Sequence, residues 1–431
     1  MSALTTAQQR TAIVIIGILF FCFGFVTWLN GTLIPFLKLA CQLENDVQAF
    51  LVTSAFYLAY FFLALPSAVI LKKVGYKKGM ALGLFVMAIG SLIFIPAANS
   101  RSFPLFLVGL FTQGMGLALL QTASNPYISI VGPIESAAKR ISIMGICNKL
   151  AGALSPLILS AVVLKNAQSI ENSIKTTTDQ VAKELLLGQL AQRIIPPYII
   201  IAGALTILAI AIVLSKLPEI ADPEEDVVAG QAEKNSIFAF PHLLLGVLCI
   251  FFYVGVEVLA GDAIGIYGKA MGISLDTTKY FTSFTLVAML VGYIIGVFTI
   301  PKYLSQQKAL LGSAILGILL CLFIYFTDGY LAITGIALLG LANALMWPAL
   351  FPMAIDGLGK FTQIGSAMLI MGIVGAAVIP PLYGLFKDSL HLSNALSFFL
   401  CAFPAYIYIL YYALSGHKAG KTKMPIAISG V

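Results

Sequence analysis

The sequence predicts an all-α integral membrane protein with twelve transmembrane helices. Of its 431 residues, 60% are hydrophobic and only 10% are charged, whereas soluble globular chains carry about 25% charged residues. The apolar residues form a dozen stretches of about 20, the length that a helix needs to cross about 30 Å of hydrocarbon. The composition therefore excludes a soluble enzyme and a soluble nucleic-acid-binding protein.

The twelve predicted spans follow the apolar stretches in order. We place them at 11–39, 48–71, 79–97, 103–131, 141–164, 196–216, 238–268, 280–300, 308–326, 329–352, 362–386 and 393–415. The segment TDQVAKELLLGQLAQRI, which precedes the sixth span, has helical spacing of its apolar residues with charges between them. That pattern predicts a short amphipathic helix on the membrane surface.

The orientation follows from the basic residues. An even number of spans puts both termini on one side of the membrane. Fifteen Lys and Arg residues fall on that side and nine on the other, with Lys149 inside a span. Because cytoplasmic loops carry the excess of basic residues, both termini are predicted to be cytoplasmic.

The chain divides into two similar halves. The polar, acidic stretch 217–237 predicts a cytoplasmic linker between a six-helix bundle at 1–216 and a second one, with a short tail, at 238–431. GALSP at 152–156 recurs as GAAVIP at 375–380, and NPYISIVGP at 125–133 is echoed by WPALFPMAI at 347–355. Duplicated halves with a site at mid-membrane are typical of transporters that work by alternating access.

Most polar side chains inside the spans fall in spans 1, 4, 7 and 10, which are equivalent in a duplicated structure. They include Trp28, Asn30, Gln121, Asn125, Tyr253, Glu257, Asp262, Asn343 and Trp347. Polar groups are costly in hydrocarbon, so they should face a cavity or a partner. Amides beside indole rings suit a neutral ligand with many hydroxyl groups, such as a sugar. The alternative is that the amides bond between helices and the indoles anchor at the interface.

One lysine and two acids lie well inside the predicted spans, away from the span ends. Lys149 lies about 13 Å inside span 5, counted at 1.5 Å per residue, and Glu257 and Asp262 are its candidate acidic partners. A static ion pair, a proton or cation coupling site, and a hydrogen-bond donor to a sugar remain open for Lys149. Asp262 is nearer the outer face, where hydration alone would explain it.

The quoted residues resemble the Major Facilitator Superfamily, in the branch of the fucose permease and the bacterial glucose/galactose and N-acetylglucosamine permeases. FGFVTWLNGTLIPFLK in span 1, SAFYLAYFFLALPSAVILKKVGYKKG in spans 2 and 3, LQTASNPYISIVGP in span 4 and FFYVGVEV in span 7 carry the resemblance. GLGKFTQIGSAMLIMGIVGAAVIPPLYG in span 11 adds to it. The resemblance implies a twelve-helix fold of two pseudo-symmetric bundles and a location in the inner membrane of a bacterium.

Two departures from the fucose permease pattern affect the expected chemistry. Asn30 is followed by Gly31 where the fucose permease has an acid, and Gln121 stands where it has a glutamate. Its proton relay is therefore not expected here. The segment SIMGICNKLAGALSP, which contains Asn148 and Lys149, is similar to N-acetylglucosamine permeases.

The resulting prediction is a monomeric importer of a monosaccharide, either N-acetylglucosamine or a glucose/galactose-like sugar, coupled to protons rather than sodium. Predicted sugar contacts are Asn30, Gln121, Asn125, Asn148, Asn343 and Trp347, with Trp28 and Tyr253 as walls. Lys149, Glu257 and Asp262 are the candidates for coupling or gating. Lys149 and Glu257 are also predicted to contact the sugar. A drug exporter of the same fold and an uncoupled sugar facilitator are the alternatives. No enzyme activity, cofactor, metal site or nucleic-acid partner is expected, and the six cysteines lack CxxC spacing.

Overall fold

The computed structural model describes residues 6–131, 137–215, 217, 236–300 and 302–421, and every regular element in these ranges is helical. Twelve helical segments are long and apolar enough to cross a membrane, which confirms the predicted number. In chain order, spans 1 to 12 are Gln9–Ala40, Asp46–Val74, Tyr76–Ser100, Phe103–Asn125, Arg140–Val163, Gln180–Leu214, Pro241–Asp262, Leu275–Thr299, Gln306–Phe326, Gly329–Ile355, Ile364–Asp388 and Asn394–Leu414. The chain is a multi-pass membrane protein.

The two halves repeat one packing pattern. In the first half, span 1 packs on span 5, span 2 on span 4, and span 3 on spans 4 and 6. In the second half, span 7 packs on span 11, span 8 on span 10, and span 9 on spans 10 and 12. The fold is therefore two pseudo-symmetric six-helix bundles, as predicted. Most of the predicted linker 217–237 lies outside the described residues.

Equivalent glycines allow equivalent helix crossings in the two halves. A Cβ atom on Gly114 of span 4 would lie 2.1 Å from the carbonyl oxygen of Phe56 in span 2. A Cβ atom on Gly340 of span 10 would lie 2.1 Å from the carbonyl oxygen of Thr285 in span 8. Small residues let membrane helices approach closely, so each crossing requires a glycine.

Several spans are broken, and the breaks matter for the site. The helices concerned are Thr6–Thr27 and Asn30–Ala40 in span 1, Gly329–Ala344 and Met346–Ile355 in span 10, and Thr362–Gly372 and Gly375–Asp388 in span 11. Span 7 ends at Asp262 and continues beyond Ala263 as the helix Ile264–Ala270. In span 10 the cause is Pro348, which has no N–H to bond to the carbonyl of Ala344 and crowds it.

The predicted surface helix exists as Gln180–Gln192, but the bundle covers one of its sides. Leu187, Leu190 and Ala191 are buried, and the helix packs on spans 1 and 3. After Arg193 and Ile194 the chain runs directly into the helix Ile195–Leu214. This segment therefore forms part of the packed core as well as the surface.

The halves meet through two helix pairs, span 2 with span 11 and span 5 with span 8. Because the chain crosses twelve times, span 1 begins and span 12 ends at the same end of the bundle, which we call the terminal face; the other end is the opposite face. At the opposite face Asp46 of span 2 pairs with Lys387 of span 11 and with Lys38 of its own half. Below it, the Ser54 hydroxyl donates to the Ala377 carbonyl at 2.7 Å.

A second group of polar contacts closes the opposite face on the other side of the interface. Glu171, in the helix Ala167–Thr176 after span 5, accepts from Lys269 of the second half at 2.8 and 2.9 Å. The Lys279 ammonium donates to the Leu164 carbonyl at 3.0 Å, and the Ser160 hydroxyl donates to the Lys279 carbonyl at 3.1 Å. The structure thus has its opposite face closed by bonds between the halves.

Candidate functional site

A cavity of about 120 Å³ lies between the two halves, with walls from both. A water molecule needs about 10–15 Å³ by the same measure, so the cavity admits a small polar ligand rather than a single water. Its lining reaches Ile141, near the terminal end of span 5, and Trp28 is the lining residue of span 1 nearest the opposite face. The cavity therefore extends from mid-membrane toward the terminal face.

Eight of the predicted site residues line this cavity together. They are Trp28, Gln121, Asn125, Asn148, Lys149, Tyr253, Glu257 and Trp347. They come from spans 1, 4, 5, 7 and 10, so the equivalent spans of the two halves do converge. The shared location agrees with the prediction of one central cavity.

Lys149 and Glu257 form an ion pair across the two halves. The Lys149 ammonium lies 2.8 Å from Glu257 Oε1, and their side chains are only 9% and 8% exposed. The same ammonium lies 4.5 Å from the centre of the Trp28 ring, a cation–π contact. Each charge is therefore compensated within the membrane, and the pair adds no net charge to the cavity.

Trp28 closes the end of the cavity that faces the opposite face. It is 2% exposed and lies between two glycines of different halves. A Cβ atom on Gly152 of span 5 would lie 2.4 Å from Trp28 Cδ1, and one on Gly261 of span 7 would lie 2.5 Å from Cζ3. The indole can occupy this position only because both neighbours lack a side chain.

Amides and aromatic rings form the remaining walls. Gln121 Nε2 donates to the Tyr60 hydroxyl at 2.9 Å, and Asn148 Nδ2 donates to the Phe20 carbonyl at 3.4 Å. The Tyr253 and Trp347 rings, 6.5 Å apart at their centres, face the cavity from spans 7 and 10. Gln121 and Asn148 are thus oriented by bonds that their amide nitrogens donate, and an amide oxygen is itself an acceptor.

Three predicted residues do not line the cavity: Asn30, Asn343 and Asp262, which are at most 1% exposed. Asn343 accepts from the Tyr406 hydroxyl at 2.8 Å, which is the packing alternative for that residue. Its helix ends at Ala344, so the four-residue spacing to Trp347 does not place the two on one face. Asn30 likewise lies beyond the break that follows Trp28. Asp262 lies five residues after Glu257, about 140° around the helix.

The sequence analysis missed the contribution of spans 2 and 8 to the cavity. Tyr57 and Tyr60 of span 2 and Tyr293 of span 8 all line it. The signal was present, because Tyr57 and Tyr60 are three residues apart and share a helical face. The predicted residues come from spans 1, 4, 5, 7 and 10, but spans 2 and 8 also lie at the interface between the halves.

Comparison with known proteins gives consistent matches. The family model described as Major Facilitator Superfamily matches residues 16–380. A glucose/galactose transporter of Brucella abortus biovar 1 (strain 9-941) is 34% identical over 96% of this chain and 97% of its own length. An L-fucose-proton symporter of Escherichia coli (strain K12) is 28% identical over 89% of both chains.

A solved structure shows the same architecture over nearly its whole length. The crystal structure of the transporter FucP in the outward conformation matches with a TM-score of 0.73 and 26% identity. The match covers 94% of this chain and 99% of that one.

Proposed function

Because the chain belongs to the Major Facilitator Superfamily, we propose that it imports a neutral monosaccharide across a bacterial inner membrane. The halves 1–216 and 238–431 rock about the central cavity, joined by the cytoplasmic linker 217–237, with both termini in the cytoplasm. The protein acts as a monomer, and uptake is coupled to protons rather than to sodium. The relatives named above as a glucose/galactose transporter and an L-fucose-proton symporter support this assignment.

The observation that carries the proposal is the chemistry of the cavity wall. Gln121, Asn125 and Asn148 supply amide groups that both donate to and accept from hydroxyl groups, while Tyr253 and Trp347 offer ring surfaces to the apolar face of a pyranose. The wall suits a neutral, hydroxyl-rich ligand.

The same wall argues against the exporter alternative. A lipophilic cation would need an uncompensated acid in the cavity, but Glu257 is already neutralised by Lys149 at 2.8 Å. Three amides also line the cavity, and a lipophilic cation has no hydroxyl groups with which to bond them. We therefore favour sugar import over the export of drugs.

Lys149 and Glu257 serve as a gating pair in this proposal. They belong to spans 5 and 7 of different halves and both line the cavity. A sugar that bonds to either residue therefore acts on both halves at once. Since Lys149 holds Glu257 in an ion pair, the pair is suited to sensing the ligand rather than to carrying a proton.

The substrate candidates are N-acetylglucosamine and glucose or galactose. The first rests on the resemblance of the segment around Asn148 and Lys149 to N-acetylglucosamine permeases, and the second is supported by the relative in Brucella abortus. Both present the hydroxyl groups and apolar ring face that the cavity wall can bind.

Counterflow in proteoliposomes tests the function. Vesicles loaded with unlabelled sugar should take up labelled N-acetylglucosamine or glucose, and an imposed proton gradient, but not a sodium gradient, should drive accumulation. Gln121→Ala should raise the KM about fivefold to tenfold, because a hydrogen bond contributes about 1 kcal/mol. Gln192→Ala, at an exposed residue of the surface helix, is the matched control and should leave KM unchanged. Efflux of lipophilic dyes without uptake of any monosaccharide would contradict the proposal.

A further inference from the structure

Asp262 is a buried acid that the cavity does not use. It ends span 7, next to the break at Ala263, and is 1% exposed. Its Oδ2 accepts a hydrogen bond from the Thr53 hydroxyl of span 2 at 3.1 Å, while its Oδ1 has no hydrogen-bond partner. Thr53 is also fully buried and belongs to the other half. The acid therefore lies within the interface that closes the opposite face.

Among the described residues, no cation compensates Asp262. The lysines that the surrounding spans place in this half of the membrane have other acceptors: Lys38 and Lys387 bind Asp46, Lys149 binds Glu257, and Lys279 binds Asp276. Lys387 is not available to Asp262 either, because Asp46 and Asp388 share it. On span 2 the titratable group nearest to Thr53 along the chain is the phenol of Tyr57, which lines the cavity and carries no positive charge.

A proton is the cation that fits this position. A carboxylate with a single hydrogen bond is costly to bury in its ionised form, whereas the neutral acid is not. A sodium ion would require several oxygen ligands, and the contacts of Asp262 provide one hydroxyl oxygen besides its own carboxyl group.

Building on the proposed function of proton-coupled sugar uptake, we propose that Asp262 is the proton-binding residue of the transport cycle. When the opposite face is open, the separation of spans 2 and 7 exposes the carboxylate, which takes a proton from the water outside. The neutral acid is then buried against Thr53 as that face closes. Closure of the opposite face thus requires a proton.

The route by which the proton leaves is short. Gly261, the residue before Asp262, is covered by Trp28, which lines the cavity. Tyr57 lies one helical turn from Thr53 on span 2 and also lines the cavity. When Trp28 moves off Gly261, Asp262 therefore comes into contact with water in the cavity. This water accepts the proton, which then leaves toward the terminal face.

The test separates sugar exchange from proton movement. Asp262→Asn keeps the shape of the neutral acid but cannot release a proton. We expect counterflow of labelled glucose or N-acetylglucosamine to continue in this variant within about threefold of the unmodified rate, since exchange needs no net proton movement. Accumulation driven by a proton gradient should be lost, and a pH-sensitive dye in the vesicles should report sugar entry without proton entry.

Controls make each result decisive. Asp328→Asn, an exposed acid in the loop before span 10, should retain full accumulation. If Asp262→Asn does not reach the membrane, Asp262→Glu replaces it and should keep accumulation with a shifted pH profile. Normal proton entry with sugar in Asp262→Asn, or an unshifted pH profile in Asp262→Glu, would overturn the proposal, as would accumulation driven only by sodium. Absence of counterflow in the unmodified protein would instead refute the proposed sugar transport.

Discussion

Two of the ion pairs that join the halves of this protein lie at different depths. Lys149 and Glu257 meet at the cavity with both side chains buried, whereas Glu171 meets Lys269 at the opposite face, where the lysine side chain is 43% exposed. A buried pair depends on both partners, because removing one leaves an uncompensated charge. A pair that is partly exposed to water contributes little. The same bond type therefore has different consequences at the two depths.

The largest effect is expected from breaking the cavity pair. Lys149→Met should destabilise the protein by about 3–5 kcal/mol and abolish uptake, because Glu257 is left buried and unpaired. The double variant Lys149→Met with Glu257→Gln should recover most of the stability but not the uptake. Thermal unfolding in detergent and counterflow measure the two properties. Lys302→Met, an exposed lysine, is the control; full uptake in Lys149→Met would remove the gating assignment.

An intermediate effect is expected from Gly261→Ala. This glycine contacts Trp28 at a depth between those of the two ion pairs. In Gly261→Ala the new methyl group would lie 2.5 Å from a rigid ring, and overpacking of this kind costs about 1–3 kcal/mol. Because Trp28 must leave its position, closure of the opposite face becomes harder, and uptake should fall about tenfold. Gly203→Ala in span 6, where a Cβ atom meets nothing within 4 Å, should transport normally. Equal rates in the two variants would show that Trp28 need not stay in place.

The smallest effect is expected at the opposite face. Glu171→Gln should change the uptake rate by about fivefold or less, since such pairs contribute about 0–1 kcal/mol. Burial alone would raise the pKa of Glu171, but hydrogen bonds and charges from Lys175 and Lys269 outweigh it and lower the pKa. Its contribution to closure is therefore complete above the usual pKa of a glutamate and is lost as the pH falls through the lowered pKa. A loss of uptake as large as that in Lys149→Met would show that the two pairs are equivalent.

The spans could be predicted from the sequence because hydrocarbon imposes their length and composition. The predicted span at 308–326 corresponds to Gln306–Phe326, and the one at 103–131 to the helix Phe103–Ile130. Eight of the predicted site residues also line the cavity, because polar groups inside a membrane must share a wet or paired environment.

Asn30 and Asn343 were predicted to line the cavity on the assumption that spans 1 and 10 are continuous helices, which they are not. Asn343 and Trp347 would share a face in an unbroken helix, but Pro348 ends that regularity at Leu345. The proline was visible in the sequence, but the rotation that it introduces between the two segments was not. The pairing of Lys149 with Glu257 was one of three open roles, since a contact between distant spans depends on how the halves pack.

The mutual compensation of Lys149 and Glu257 has a consequence for the response to voltage. As long as the two remain paired, they carry no net charge through the electric field of the membrane when the halves move. The return of the empty protein is then insensitive to voltage as far as this pair is concerned. A potential of 100 mV acts on each co-transported proton with about 2.3 kcal/mol, and the pair adds nothing to that voltage dependence.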